Sequence, residues 1–108
     1  MSERVCALGD LQLDEPKRVV VDGVAVAVVR TEEGVFAIQD LCSHANVPLS
    51  QGEVEDCRIE CWLHGSTFDL RTGRPSGLPA TKPVPVYAVT VEGDDVLVSI
   101  DAVLNEAS

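Results

Sequence analysis

Two short segments stand out in the middle of this chain, Cys42-Ser43-His44 and Cys61-Trp62-Leu63-His64, with sixteen residues between them. Each segment offers one thiol and one imidazole, two residues apart in the first segment and three apart in the second. Such spacings allow both side chains of a short loop to converge on one point. Because the chain contains only two histidines, each paired with a cysteine, the pattern predicts one metal centre built from Cys42, His44, Cys61 and His64.

The ligand types separate the metals that such a centre could hold. A zinc finger prefers two cysteines in one half and two histidines on a helix in the other, whereas here each half is mixed. A copper electron-transfer site uses two histidines, one cysteine and a weak axial ligand, which leaves one cysteine over. An iron–sulfur cluster in which histidine replaces cysteine on one iron needs two of each. The residues favour the iron–sulfur centre, and zinc is the open alternative.

Strand-like sequence surrounds this region. Asp22-Gly23 separates two valine-rich runs, and Asp-Gly in that position predicts a hairpin with positive φ at both turn residues. Strand patterns recur near the C-terminal end, whereas residues 40–81 are interrupted by glycine and proline. We expect an all-β chain in which a loop-rich segment, 40–81, is inserted into a β base formed by 1–39 and 82–108.

Two cysteines lie outside the motif. Cys6 and Cys57 are interpreted as small apolar strand residues without a redox role. Within the loop-rich segment, residues 57–60 and 67–70 are predicted to form short strands, followed by a turn at 71–73.

Composition and charge limit the classes of function. The 108 residues suit one domain, and 18 acidic against 8 basic residues give a net charge of −10. Such a surface repels nucleic acid and anionic membranes, and it favours a basic patch on a partner protein. No run approaches the roughly 20 apolar residues of a membrane span, and no secretory signal is visible. We therefore expect a cytoplasmic protein, and in the cytoplasm cysteines serve metals more often than disulfides.

With these residues in view, the chain resembles the Rieske ferredoxins, small electron carriers of bacterial oxygenase systems. The family pattern, Cys-x-His followed after a gap by Cys-x-x-His-Gly, is present as Cys42-x-His44 and Cys61-x-x-His64-Gly65. The resemblance continues in residues 68–73 and 79–87 and covers most of the chain. It implies a single domain, 1–108, with the Rieske iron–sulfur fold: an antiparallel β-sandwich base and a smaller, loop-rich cluster-binding subdomain.

The resemblance also implies how the centre is arranged. One [2Fe–2S] cluster would be held by Cys42 and Cys61 on the inner iron and by His44 and His64 on the outer iron, near the surface. A proline-containing loop at 76–80 would cover a third side. The residues expected around the cluster are Ser66, Trp62, Phe68 and Pro79.

Departures from the pattern predict the properties of the cluster. High-potential Rieske proteins join their two cluster loops by a disulfide, but Val47 and Leu63 occupy those positions here, which indicates the ferredoxin branch. Such proteins also use a Ser and a Tyr as donors to the cluster sulfurs. Ser66 is present, but Phe68 replaces the Tyr, so we expect a low reduction potential.

Some residues beside the motif allow two interpretations. Trp62 is either a core anchor or a lid that shields the cluster from water. Four acidic residues form either a solvated hairpin or an acidic docking rim: Glu53, Glu55, Asp56 and Glu60.

The resemblance implies a one-electron carrier and not a catalytic subunit. It would take an electron from a flavin-dependent ferredoxin reductase and deliver it to a terminal oxygenase, as a monomer and by transient contacts. A terminal oxygenase would need a second iron site, and both histidines are already committed. Three alternatives remain: the small subunit of an assimilatory nitrite reductase, a ferredoxin that serves iron–sulfur assembly, and a structural zinc module.

Overall fold

The computed structural model of the protein describes residues 3–41, 47–62, 66–76 and 83–104, and these residues contain strands and two single-turn 3₁₀ helices but no α-helix. The 3₁₀ helices are Leu8–Asp10 and Leu49–Gln51. The strands are β1 (Glu3–Ala7), β2 (Pro16–Val21), β3 (Val24–Thr31), β4 (Gly34–Gln39), β5 (Val54–Glu55), β6 (Arg58–Glu60), β7 (Thr67–Asp69), β8 (Val86–Glu92) and β9 (Asp95–Val103). The predicted all-β fold is confirmed.

Six strands form one antiparallel sheet in the order β1-β9-β8-β4-β3-β2. The two edge strands, β1 and β2, come within 8 Å of each other at Cα, so the sheet curls and leaves little of its edges open. In its interior β4 pairs with β8 through Ile38 and Val86. The chain therefore leaves this sheet after β4 and returns to it at a neighbouring position.

The predicted Asp-Gly hairpin is confirmed. Asp22 and Gly23 have φ values of 49° and 79°, and the flanking Val21 and Val24 are paired in the β2–β3 register. Positive φ at both turn residues matches the twist of the two strands, and asparagine, aspartate and glycine tolerate it best.

The remaining three strands form a second sheet in the order β5-β6-β7. Glu55 pairs with Arg58, so Asp56 and Cys57 make a two-residue turn, with φ values of 53° and 61°. The prediction that Cys57 is a strand residue was therefore wrong, because a tight hairpin requires left-handed backbone at both turn positions. Burial of the Cys57 side chain in the core accompanies this unusual backbone.

Two apolar cores lie on either side of β3. Inside the curled sheet, the core consists of Cys6, Leu11, Val21, Val26, Val28, Ala37, Tyr87, Val96 and Val98. Between this sheet and the smaller one, it consists of Ala27, Val29, Ile38, Leu49, Cys57, Ile59, Cys61, Phe68, Leu70, Val84 and Val86. Because alternate residues of a strand point to opposite faces, the run 26–29 contributes to both cores and is fully buried.

The larger sheet draws its strands from residues 3–39 and 86–103, and the smaller sheet draws its strands from residues 54–69. The division into an inserted segment, 40–81, and a base formed by 1–39 and 82–108 stays a prediction. None of the helices in the described ranges has the length and apolar character needed to cross a membrane.

Candidate metal centre

Cys61 is the predicted ligand that the structure describes. It follows β6 directly, its side chain is fully buried, and its backbone N–H donates to the carbonyl oxygen of Ser66 at 2.6 Å. The segment 61–66 is thus closed at its base, between β6 and β7. Cys42, His44 and His64 lie outside the described residues, as does Pro79.

The segment that carries Cys42 and His44 is closed at its base by a buried carboxylate. Asp40 lies directly after β4, and its side chain is fully buried. The backbone N–H of Ser50 donates to Asp40 Oδ1 at 2.6 Å, and the Ser50 hydroxyl donates to Oδ2 at 2.6 Å. Arg18 Nη1 on β2 also donates to Oδ2, at 2.9 Å. These bonds hold the end of β4 against the 3₁₀ helix Leu49–Gln51.

The bases of the two ligand segments lie next to each other. The backbone N–H of Glu60 donates to the carbonyl oxygen of Glu53 at 2.8 Å. Gly52 packs so closely on this strand that a Cβ added to it would overlap the Glu60 carbonyl. Since Glu60 directly precedes Cys61 in the chain, residues 50–53 contact the base of both segments.

The residues on either side of the segment 77–82 are held by backbone hydrogen bonds to β7 and β4. Ser76 donates its backbone N–H to the carbonyl oxygen of Thr67 at 2.7 Å, and the two hydroxyl groups are also hydrogen-bonded. At the other end, Gln39 donates its backbone N–H to the carbonyl oxygen of Pro85 at 2.9 Å. The prediction that the loop at 76–80 covers a third side of the centre stays a prediction, since residues 77–82 lie outside the described residues.

The described residues fit an iron–sulfur centre. The fully buried Cys61 sulfur lies in an apolar core with Leu49 and Phe68, and a soft thiolate ligand there suits a bound metal better than a free charge. Within the described ranges, which include only Cys61 of the four predicted ligands, no group of three His, Cys, Asp or Glu side chains could hold a metal ion. Residues 50–53 contact both Asp40, before the first mixed Cys/His segment, and Glu60, before the second.

The residues predicted around the centre are placed differently from one another. Phe68 is fully buried in the core that contains Cys61, and Ser66, two positions before Phe68, is also buried. Trp62 has 48% of its surface exposed. A donor role for Ser66 and a shielding role for Trp62 stay predictions.

The predicted acidic residues are found together on the smaller sheet. Glu53, Glu55 and Asp56 are exposed, and with Glu60 they line a cleft of about 180 Å³. Arg58 also lines this cleft and offsets part of its negative charge. The structure therefore places an acidic surface on the β5–β6 hairpin, whose second strand leads into Cys61.

The other two described cysteines lie outside the two ligand segments. Cys6 lies in β1, as predicted, and Cys57 lies in the turn before β6, 4.0 Å from the hydroxyl oxygen of Thr31. Burial raises the pKa of both thiols, so both are protonated at neutral pH and weak nucleophiles.

Sequence reasoning missed Asp40, Ser50 and Gly52. A signal for Asp40 existed, because it is an acidic residue directly after an apolar strand and two positions before Cys42. No signal in the sequence marks the close approach of Gly52 to Glu60, since that contact depends on how two non-consecutive segments pack.

The chain is similar to proteins of known family. A family model described as the Rieske [2Fe-2S] domain matches residues 2–88. The ferredoxin component of biphenyl 2,3-dioxygenase from Rhodococcus jostii (strain RHA1) is 41% identical over 98 residues, which are 91% of this chain and 92% of that protein.

Two solved structures are similar over nearly the whole chain. The ferredoxin of carbazole 1,9a-dioxygenase from Nocardioides aromaticivorans IC177 superposes with a TM-score of 0.88 at 42% identity, over 92% of this chain and 97% of that one. A complex of reduced oxygenase and oxidized ferredoxin in carbazole 1,9a-dioxygenase contains a chain with a TM-score of 0.85 and 35% identity, over 91% of this chain and 92% of that one.

Proposed function

Because this chain belongs to the Rieske [2Fe–2S] domain family, we propose that Cys42, His44, Cys61 and His64 hold its one [2Fe–2S] cluster. The protein is an electron carrier of the ferredoxin type and not a catalytic subunit. The single observation that carries the ligand proposal is the convergence of the anchors of both ligand segments beside the buried Cys61. When bound, the cluster supplies a one-electron redox couple.

The residues around the proposed ligands determine how far water can reach the redox centre. The Cys61 side chain lies in an apolar core with Leu49 and Phe68. These neighbours would keep water away from a cluster held by Cys61, which would lower the local dielectric constant and strengthen electrostatic contacts to the centre. Trp62 follows Cys61 in the chain and is half exposed. We assign it to shielding the centre from water.

We propose a reductase and a terminal oxygenase as partners. The similar ferredoxin in complex with an oxygenase supports the second of these, and the names of the similar ferredoxins support a system of the ring-hydroxylating dioxygenase type. The donor would be a flavin-dependent ferredoxin reductase. The net charge of −10 favours transient docking to basic surfaces on both partners.

We further propose a cytoplasmic monomer. The cysteines in the described ranges, Cys6, Cys57 and Cys61, are not joined by disulfides, as expected in a reducing compartment. Light scattering coupled to size exclusion should give a mass near 11.5 kDa, and twice that mass would contradict the monomer.

Spectroscopy and reconstitution test the proposal. The purified protein should be red-brown, contain two irons and two sulfides per chain, and show the electron paramagnetic resonance (EPR) signal of a reduced Rieske cluster. Mixed with a flavin reductase, NADH and a ring-hydroxylating oxygenase, it should restore product formation. A colourless zinc protein would overturn the cluster assignment, and transfer to a nitrite reductase but to no oxygenase would overturn the proposed partner.

A further inference from the structure

We propose that Asp40, Ser50 and Gly52 are positioning residues that fix the separation of the two ligand segments and thereby set the geometry of the cluster. This inference rests on the ligand assignment proposed above. None of the three residues is a ligand: they act through the backbone on either side of the segments that carry the ligands.

The Asp40 carboxylate is fully buried. A carboxylate removed from water must be compensated by donors, and three are present: the Ser50 backbone N–H, the Ser50 hydroxyl and the Arg18 guanidinium. Hydrogen bonds to an ionised acceptor are roughly twice as strong as neutral ones. Two of the three come from one residue on the far side of the first ligand segment, so they hold the beginning and the end of that segment together.

The chain that follows Ser50 contacts the base of the other ligand segment. Two positions after Ser50, the backbone of Gly52 lies directly against the carbonyl group of Glu60. The next residue, Glu53, accepts the backbone N–H of Glu60 at 2.8 Å. Any side chain at position 52 would push residues 50–53 away from Glu60, and with them one ligand segment from the other.

The 3₁₀ turn Leu49–Gln51, between Asp40 and Glu60, is itself held rigidly. Leu49 is fully buried in the core that contains Cys61, and the N–H of Gly52 closes the 3₁₀ turn by donating to the carbonyl oxygen of Leu49 at 2.9 Å. The short turn is therefore fixed on three sides, by the core, by Asp40 and by Glu60. It has the character of a spacer between the two segments.

The experiment compares each substitution with a matched control in the cluster-loaded protein. Ser50→Ala is paired with Ser99→Ala, a mostly buried serine of β9. Gly52→Ala is paired with Gly9→Ala, where an added Cβ meets nothing within 4 Å. Ser50→Thr keeps both donors, and Cys61→Ala removes a proposed ligand. The readouts are the EPR g values, the midpoint potential, the rate of iron loss to a chelator and the thermal unfolding midpoint.

We expect Ser50→Ala to shift the g values and the potential and to lose iron about tenfold faster, as loss of residues behind metal ligands does. Gly52→Ala should shift the g values and the potential further than Ser50→Ala does, or should fail to retain iron. Ser50→Thr, Ser99→Ala and Gly9→Ala should keep wild-type values. Unchanged g values and potential in Ser50→Ala would overturn the proposal, even if the unfolding midpoint fell. A cluster retained by Cys61→Ala would instead overturn the ligand assignment.

Discussion

The guanidinium of Arg71 donates to Glu33 Oε1 at 3.0 Å, and this contact joins the turn after β7 to the turn between β3 and β4. The same guanidinium donates to both carboxylate oxygens of Asp69, at 3.1 and 3.0 Å. The two sheets are thus connected by polar contacts at the surface, on the rim of the core that contains Cys61. The side-chain hydrogen bond from Arg71 lowers the pKa of Asp69 below its ordinary value.

Arg71→Gln should raise the pKa of Asp69 towards its ordinary value. A carboxyl group with a lowered pKa in the folded state stabilises that state above its unfolded pKa, and the stabilisation is lost as the pH falls through the folded value. The variant should therefore unfold at a lower temperature than the wild type at neutral pH, and the difference should shrink below about pH 4. Titration of the Asp69 carboxyl carbon by NMR checks the pKa.

Arg4→Gln is the control for that prediction, since it breaks a comparable exposed ion pair with Asp95, at 2.7 Å, on the larger sheet. It should leave the pKa of Asp69 unchanged. An unaltered Asp69 pKa in Arg71→Gln would contradict the attribution to Arg71.

His64→Ala should abolish the cluster. Because binding of the metal centre also supplies folding free energy, the variant should unfold at a lower temperature and become sensitive to proteolysis within residues 40–81. The measurements are the visible spectrum, the EPR signal and mass spectrometry of limited digests. A variant that kept its colour and EPR signal would show that His64 is not a ligand.

Phe68→Tyr should raise the midpoint potential. The wild-type value is expected near the low end of the Rieske range of about −150 to +300 mV, because Phe68 offers no hydrogen-bond donor. Phe68 is fully buried in the same core as Cys61, so a hydroxyl there either donates to a cluster sulfur or stays unpaired. An unpaired hydroxyl would destabilise the fold by about 1–3 kcal/mol without changing the potential.

Voltammetry and thermal unfolding separate these two outcomes. Phe36→Tyr, in a partly buried residue packed against the same core, controls for the added hydroxyl. A wild-type midpoint well above zero would refute the hydrogen-bond argument itself.

Neutralising Glu53, Glu55 and Asp56 together, as Gln, Gln and Asn, should slow reduction by the cognate reductase. Surface charges at the edge of an interface act mainly on the association rate, and salt screens them. The second-order rate should therefore fall at low ionic strength, converge with the wild-type rate at high salt, and leave the spectrum and the potential nearly unchanged. Stopped-flow absorbance over a salt series measures this.

A matched variant separates local from overall charge. Glu3, Glu92 and Asp94 are exposed residues of β1 and of the β8–β9 hairpin, and their neutralisation removes the same net charge elsewhere on the surface. An equal effect of both triple variants would mean that overall charge alone steers the encounter. No effect of either would indicate that docking is apolar, with the exposed Trp62 as the described residue to test first.

The Asp22-Gly23 hairpin and the Cys/His motif could be recognised because each depends on residues close together in the chain. Asp22-Gly23 determines its own backbone, and a mixed Cys/His pair requires only two or three residues of spacing. The type of metal centre followed from the chemistry of those side chains.

The contacts between the ligand segments could not be predicted in this way. The hydrogen bonds from Ser50 to Asp40 and the approach of Gly52 to Glu60 join residues that meet only after both sheets have packed. Cys57 was assigned to a strand because its residue type suits a buried strand, whereas pairing of Glu55 with Arg58 left it in the turn.

Finally, β3 imposes an unusual pattern of tolerance to substitution. When one face of a strand is exposed to solvent, folded variants selected from a random library can carry polar residues at every second position. The four residues of the run 26–29 are all fully buried, two facing each core, so selection for folded protein should deplete polar codons at all four in succession. A shift of register by one residue would exchange the valine pair of one core for the alanine and valine of the other. Only one register of β3 therefore buries the right side chains in both cores, and the packing of both sheets depends on that register.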